Sequence, residues 1–150
     1  MKQTDNFKFD EANVMNELVY RNLSEDAKRQ ICAWKYGGEY DLYNLPAYEE
    51  MQVRQIGFMN PKSEKNYYGF WDESILVGFV NILEEKEEIF IGIGVNPDLC
   101  NKHYGQRMLL ITYEISKKLY PDKPLYLEVR TWNIRAVKCY QKAGFRIDGQ

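Results

Sequence analysis

The chain has 150 residues and a formal net charge of −2, and 45% of its residues are hydrophobic. This length and composition predict one folded domain over residues 1–150 with a core of its own. The balanced charge, without a Lys/Arg-rich run, excludes the electrostatic footprint of a nucleic-acid-binding protein. No apolar run approaches the roughly 20 residues of a membrane span, and the start MKQTDNFKFD lacks a signal-peptide core, so no membrane partner is expected.

Cysteine and histidine usage narrows the chemistry further. The three cysteines contain no Cys-x-x-Cys pair, and His103 is the single histidine. An odd cysteine count without a pairing motif is typical of reduced thiols, so we expect a cytoplasmic protein. The same scarcity of strong ligands means that no metal site is expected.

The N-terminal third is predicted to be mainly helical. The first ten residues are predicted to be a ragged start or a short edge strand, and the periodicity of residues 13–22 predicts a first helix. A second helix is predicted from Ser24, whose hydroxyl can cap free N–H groups, to the Gly37-Gly38 pair. The polar and aromatic connector 39–65 then contains one predicted helix around Tyr48 to Ile56. A connector of this length either carries a binding site or only covers the sheet as a lid.

Three strands are predicted to follow as an antiparallel meander: Tyr67–Trp71, Ile75–Leu83 and Ile89–Val95. The charged run 84–87 is expected at a solvated hairpin tip. The third strand, IFIGIGV, alternates in the manner of a strand buried on both faces. Gly92 and Gly94 thin one of its sides, which is typical where a ligand or another backbone approaches closely.

A loop and a helix follow the third strand. Asn96-Pro97-Asp98 ends the strand, and a helix is predicted from Gly105. The apolar positions Met108, Ile111, Ile115 and Leu119 are predicted to form its buried face. The loop 100–106 presents free backbone N–H groups at the positive end of the helix, which favours a phosphate ligand. An ordinary crossover connection has the same pattern, so the spacing alone leaves both interpretations open.

The last informative stretch begins at Leu125. The alternation in Leu125–Val129 predicts a strand, and the intervening helix makes it a parallel neighbour of Ile89–Val95. This strand carries Glu128, a carboxylate that is costly to bury without a role or a partner. Asn133 is placed to cap a helix from Ile134 to Lys142, and Gly144 is placed to end it.

Two stretches resemble motifs of the GNAT superfamily of N-acetyltransferases. The first resembles the coenzyme A-binding motif at Val95, Pro97 and Gly105, but Cys100 stands where Gln or Arg is usual and His103 where Gly is usual. The second resembles the motif Asn-x-x-Ala-x-x-x-Tyr-x-x-x-Gly-Phe, with matches at Asn133, Ala136, Tyr140, Gly144 and Phe145. Within the superfamily, this stretch looks like the branch that includes ribosomal-protein alanine N-acetyltransferases.

The resemblance implies a fold, a donor and an acceptor. It implies an α/β (α+β) GNAT-like fold, with a mixed, mostly antiparallel sheet and helices on both faces. It also implies acetyl-CoA as acetyl donor and direct attack, in a ternary complex, by a primary amine of a small molecule or a protein or peptide N-terminus. The residues that it assigns to coenzyme A are Ile93, Gly94, Val95, Asn101, Lys102, His103, Tyr104, Gly105, Gln106, Asn133, Ala136 and Tyr140.

The resemblance also assigns catalytic roles, with Glu128 as general base and Tyr140 as general acid. These residue types suit the reaction, because the amine must lose a proton and the departing thiolate must gain one. Alternatives stay open at this point: Tyr140 as a packed core aromatic, Glu128 as a partner within the sheet, and Glu87 or Glu88 as the base. Because of the departures at Cys100 and His103, a coenzyme A-binding module without turnover is the alternative function.

The end of the chain departs from the family pattern. GNAT domains usually add two strands after this last helix, whereas this chain has room only for the first, so the C-terminal strand is expected to be missing. The strand Leu125–Arg130 is then predicted to have a free edge. Residues Phe145–Asp148, a second subunit or water could cover that edge, and we favour either a homodimer or the shifted pairing.

Overall fold

The computed structural model describes residues 1–3 and 18–148. Its strands are β1 (Lys2–Gln3), β2 (Val19–Asn22), β3 (Tyr67–Asp72), β4 (Ile75–Glu84), β5 (Ile89–Val95), β6 (Leu125–Tyr126) and β7 (Phe145–Arg146). Its α-helices are α1 (Glu25–Ala33), α2 (Tyr48–Arg54), α3 (Tyr104–Leu119) and α4 (Ile134–Lys142). None of these helices is both long and apolar enough to cross a membrane, within the described part of the chain.

The strands form one mixed sheet in the order β2-β3-β4-β5-β6-β1-β7. Strands β2 to β5 are antiparallel neighbours, and β6 pairs parallel to β5 with Ile89 opposite Leu125. Strand β1 lies antiparallel between β6 and β7. The predicted mostly antiparallel α/β fold is confirmed.

Helices cover both faces of the sheet. Side chains alternate between the faces along each strand, and both faces carry apolar side chains that need to be buried. On one face, α3 buries Met108 and Leu109 against Val80 and Ile82 of β4. On the other face, α1 and α2 pack against the sheet through a second cluster that includes Ile31. The sheet is therefore the middle layer of three.

Most predicted elements lie where the sequence placed them. Strand β5 has the predicted bounds, and the predicted meander is β3–β4–β5. Ser24 caps α1 by accepting from the Ala27 N–H at 3.1 Å. Asn133 caps α4 by accepting from the Ala136 N–H at 3.2 Å. Helix α1 ends at Ala33, before the Gly37-Gly38 pair, because Trp34 turns into extended backbone.

Two helix predictions need correction. Residues 13–17 of the predicted first helix lie outside the described residues, but residues 19–22 are strand β2. The ring of Tyr20 lies 6.2 Å from that of Tyr68 across the strand pair. Such cross-strand contacts stabilise the strand conformation and outweigh the local helical periodicity. Leu119, predicted on the buried face of α3, is 50% exposed because it lies in the last turn, beyond the packed part of the helix.

The predicted strand at Leu125 is present and parallel to β5, but it is shorter than the predicted Leu125–Val129, and the predicted free edge is wrong. Strand β6 ends at Tyr126, because β5 and β6 separate beyond that point. Residues 1–3, predicted to be ragged or at an edge, lie inside the sheet, where Lys2 pairs with both Tyr126 and Arg146. The Leu127 N–H donates to the Met1 carbonyl at 2.8 Å. The edge of β6 is therefore covered by β1, and neither β7 nor a second subunit is needed there.

Candidate active site

A cavity of ≈ 1060 Å³ opens where β5 and β6 separate. Residues 92–95 of β5 line one side of the opening, and residues 128–130, which follow β6, line the other. The start of α3 and the inner face of α4 form the rest of one wall, and the 3₁₀ turn Gly38–Tyr43 lies over the cavity. The volume is large enough for a sizeable ligand together with a second, smaller one.

Strand β5 presents backbone groups to this cavity. The Asn96 N–H donates to the Val77 carbonyl of β4 at 2.8 Å. Because backbone groups alternate in direction along an antiparallel pair, the N–H and C=O groups of Ile93 and Val95 point away from β4, into the opening. The Tyr36 hydroxyl donates to the Val95 carbonyl at 2.6 Å. This backbone edge can pair with the amide groups of an extended ligand.

The loop before α3 has the backbone geometry of an anion site. Asn101 and His103 have φ values of 67° and 66°, in the left-handed region where glycine is usual. His103 is the N-cap residue, and its side chain makes no capping hydrogen bond, so the first N–H groups of α3 are open to a ligand. Cys100 donates weakly from Sγ to the Asn96 carbonyl at 3.8 Å. Positively charged side chains on α4 line this end of the cavity: Arg135, Lys138 and Lys142.

Glycine brings α3 close to α4 and to β5. A Cβ atom on Gly105 would lie 3.0 Å from the Cys139 Sγ of α4 and 3.6 Å from Val95. The Tyr104 hydroxyl donates to Asp72 Oδ2 at 2.6 Å, which fixes that ring at the rim of the cavity. The first turn of α3 therefore sits directly over the end of β5.

Tyr140 on α4 is a half-buried phenol that faces the cavity. Burial raises the pKa of Tyr140 well above its usual range, and the neighbouring Cys139, Tyr43 and Tyr36 add to the increase. Its hydroxyl makes no hydrogen bond to another described residue. Tyr43 is itself held by Asn133, whose Nδ2 donates to its hydroxyl at 3.1 Å. Burial therefore keeps the Tyr140 phenol protonated across the neutral pH range, and its hydroxyl is not bonded to the described part of the chain.

The three candidate bases occupy different places. Glu128 is exposed and lines the cavity, on the opposite side of the opening from β5. Glu88 lies outside the cavity lining and pairs with Lys2 Nζ at 2.8 Å, and Glu87 is exposed and also outside it. The structure thus brings Glu128 and Tyr140 to one cavity and leaves Glu87 and Glu88 apart from it.

The predicted coenzyme A residues also converge on the cavity. Lys102 is exposed and lies outside the lining. The other predicted residues all line the cavity: Ile93, Gly94, Val95, Asn101, His103, Tyr104, Gly105, Gln106, Asn133, Ala136 and Tyr140. No group of three or more His, Cys, Asp or Glu side chains among the described residues could hold a metal ion.

The part of the lining on the α1 side of the sheet was not predicted from the sequence. These side chains are Trp34, Tyr36, Tyr67, Phe79, Asn81 and Phe90. They come from four separate segments, which are brought together by the register between strands and by the packing of the segment after α1 against β4. The signal that could have found them is the alternation in β4 and β5, which places Phe79 and Asn81 on the same face as Gly92 and Gly94.

The chain also matches a known protein family by sequence. The sequence profile of the acetyltransferase (GNAT) family matches residues 29–145. This match covers more than half of the chain, and the chain therefore belongs to the GNAT acetyltransferase family. No curated protein sequence matches the chain at a significant level.

Solved structures of this family share the fold. A chimera of the spermidine N-acetyltransferase SpeG from Vibrio cholerae and hSSAT aligns with a TM-score of 0.74 at 20% identity, covering 89% of this chain and 82% of the chimera. A GNAT-family acetyltransferase from Bacillus anthracis aligns with a TM-score of 0.69 at 19% identity, covering 88% and 81%. The PaiA N-acetyltransferase from Thermoplasma acidophilum, solved with coenzyme A, aligns with a TM-score of 0.63 at 19% identity, covering 88% and 91%.

Proposed function

We propose that the protein is an N-acetyltransferase that transfers an acetyl group from acetyl-CoA to a primary amine. One observation carries this proposal: Glu128 and Tyr140 line the same cavity as the open backbone edge of β5 and the start of α3. A proton acceptor, a proton donor, an amide-binding edge and an anion site are the parts that acyl transfer from a thioester needs. Membership of the acetyltransferase family supports the same reading.

The residues present fit acetyl-CoA as the donor substrate. The N–H groups of residues 104–106 and the cations of α4 suit its phosphates, because a helix start carries positive partial charge. The backbone groups of Ile93 and Val95 suit its pantetheine amides. Acetyl-CoA supplies the thioester whose carbonyl carbon is attacked.

The protein groups then divide the work of proton transfer. Glu128 accepts a proton from the amine, directly or through water, as the nitrogen bonds to the carbonyl carbon. An N–H of the β5 edge can stabilise the negative charge on the carbonyl oxygen. When the carbon–sulfur bond breaks, Tyr140 gives its phenolic proton to the thiolate. The products are an N-substituted acetamide and free coenzyme A.

A thiol-release assay tests this proposal. Purified protein and acetyl-CoA are combined with a panel of small primary amines and of peptides with free N-termini, and binding of coenzyme A is measured in parallel by calorimetry. We expect thiol release with at least one class of amine. Binding of coenzyme A without thiol release on any acceptor would instead establish a binding module without turnover.

A further inference from the structure

On the α1 side of the sheet, three neighbouring strands place their residues in one row beneath the cavity. Tyr67 of β3 pairs with Asn81 of β4, which pairs with Gly92 of β5. Gly92 leaves the row open, since a Cβ there would approach other atoms no closer than 3.5 Å, at Asn81. The row therefore forms a floor with one amide side chain, Asn81, in its middle.

The amide oxygen of Asn81 is buried and has no hydrogen-bond partner among the described residues. A buried acceptor without a partner is unfavourable, and native proteins rarely retain one without a reason. Asn81 also lines the cavity. Because the residue lines the cavity, rotation of its amide about the Cβ–Cγ bond lets the oxygen accept a hydrogen bond from a molecule bound there.

The walls beside Asn81 are aromatic. The ring of Phe79 lies 6.3 Å from that of Trp34 and is stacked at 6.4 Å from that of Tyr67. Aromatic faces bury apolar groups and also attract a single cation. Of the described residues that line the cavity, Glu128 is the one carboxylate, whereas a polyamine with several charges would call for several. This end of the cavity suits one amino group attached to an apolar, ring-sized body.

Resting on the N-acetyltransferase function proposed above, we propose that the acceptor is a primary amine with an aromatic or similarly bulky apolar group and that Asn81 positions its nitrogen. The amide oxygen of Asn81 accepts one N–H of the amine. That bond leaves the nitrogen lone pair free to attack the thioester carbon, while the apolar group lies against Trp34, Tyr67 and Phe79. The nitrogen–carbon bond forms, the carbon–sulfur bond breaks, and the proton from nitrogen goes to Glu128 as described above.

Substrate preference is the first test. We expect kcat/KM for 2-phenylethylamine to exceed that for ethanolamine and for spermidine by about tenfold or more, because the ring buries apolar area that those amines lack. Short peptides that begin with Phe or with Ala show whether the source of the group is a free amine or a peptide N-terminus. A preference for spermidine or ethanolamine would overturn the proposed substrate class.

Replacement of Asn81 is the second test. Asn81→Leu removes the amide at similar size, and we expect kcat/KM for 2-phenylethylamine to fall about tenfold, the effect of losing one hydrogen bond to substrate. Binding of coenzyme A should be unchanged, and Tm should stay level or rise, because an unpartnered buried polar group has been removed. Asn66→Leu is the matched control, since Asn66 has the same intermediate exposure and lies outside the cavity lining.

Failure of the role given to Asn81 and failure of the proposed function give different results. Unchanged kinetics in both Asn81→Leu and the smaller Asn81→Ala, or a loss of Tm and coenzyme A binding together, would overturn the role given to Asn81. If wild-type protein turns over no amine, the proposed function fails. The NMR signal of the Asn81 side-chain amide then tests amine recognition by Asn81 separately. A shift of that signal with 2-phenylethylamine in the presence of coenzyme A would support amine recognition by Asn81, and its absence would refute it.

Discussion

Tyr140 is the residue on which the proposed chemistry depends most directly. Its hydroxyl is kept protonated by burial and makes no hydrogen bond to another described residue, so it is available to a ligand. We expect Tyr140→Phe to lower kcat about tenfold or more, as loss of a general acid does. Stability and coenzyme A binding should hardly change, because the hydroxyl makes no hydrogen bond within residues 1–3 and 18–148. Normal turnover in this variant, measured by thiol release, would make Tyr140 a packing residue only.

Glu128 and Glu88 form a matched pair for identifying the base. Glu128 lines the cavity, whereas Glu88 lies outside the lining and pairs with Lys2. We expect Glu128→Gln to reduce turnover about tenfold or more and to flatten the acid limb of the pH profile, since a glutamine cannot accept the proton. Glu88→Gln should leave both unchanged. The reverse pattern in the pH–rate profiles would move the base to Glu88.

His103 stands where the family motif usually has Gly, and its backbone geometry shows why Gly is usual there. Its φ of 66° lies in the left-handed region, which glycine adopts freely, asparagine tolerates and a β-branched residue adopts only at high cost. We expect His103→Asn to be near neutral and His103→Val to lower the free energy of unfolding by about 1–2 kcal/mol. His103→Val should also weaken coenzyme A binding. Urea unfolding and calorimetry measure the two effects, and equal behaviour of both variants would contradict them.

At the scale of elements, the two glycines in β5 have different surroundings. A Cβ on Gly94 would lie 2.4 Å from the Phe79 ring, whereas a Cβ on Gly92 would meet only ordinary contacts, the nearest at 3.5 Å. Gly94 therefore lets Phe79 pack onto β5 and so shapes the cavity wall. Gly92 keeps the cavity floor open.

This difference predicts opposite effects of one substitution. We expect Gly94→Ala to lower the free energy of unfolding by about 1–3 kcal/mol, the usual range for overpacking, because the Phe79 ring must move. Gly92→Ala should be neutral or slightly stabilising, since alanine restricts the unfolded chain. Urea unfolding of the two variants gives the comparison. A loss of stability in Gly92→Ala equal to that in Gly94→Ala would contradict the register of β4 against β5.

At the scale of the whole molecule, the packing of α3 against α4 makes folding sensitive to high pH. Burial raises the pKa of the Cys139 thiol from 9.0 to about 11. As pH rises, the unfolded chain therefore loses this proton before the folded chain does. The contribution of the thiol to the free energy of unfolding is fully present below pH 9 and is lost as pH rises towards 11. The loss is about 3 kcal/mol.

The alkaline effect can be isolated with one variant. Wild-type protein should lose free energy of unfolding steeply between pH 9 and pH 11 in urea titrations. Cys139→Ser has a similar size and does not titrate in this range, so its loss should be shallower by the amount that Cys139 contributes. Identical slopes for the two proteins would show that the thiol is not protected by folding.

Local patterns in the sequence determined most individual elements and the motif residues. Strand β5, the Ser24 and Asn133 caps and the glycine after α4 could be predicted because capping and alternation act within a few residues. The same local motifs predicted which residues belong to the coenzyme A set, and all of them except Lys102 line the cavity.

Only the tertiary structure decided which distant segments meet. Strand β6 is short because its partner β5 diverges after Phe90, and the place beside β6 is taken by Lys2–Gln3, more than a hundred residues away in sequence. Asn81 stands beside Gly92 only because β4 and β5 pair in one particular register. Strand pairing depends on backbone hydrogen bonds that every residue type except proline can both donate and accept, so short-range side-chain patterns do not reveal it.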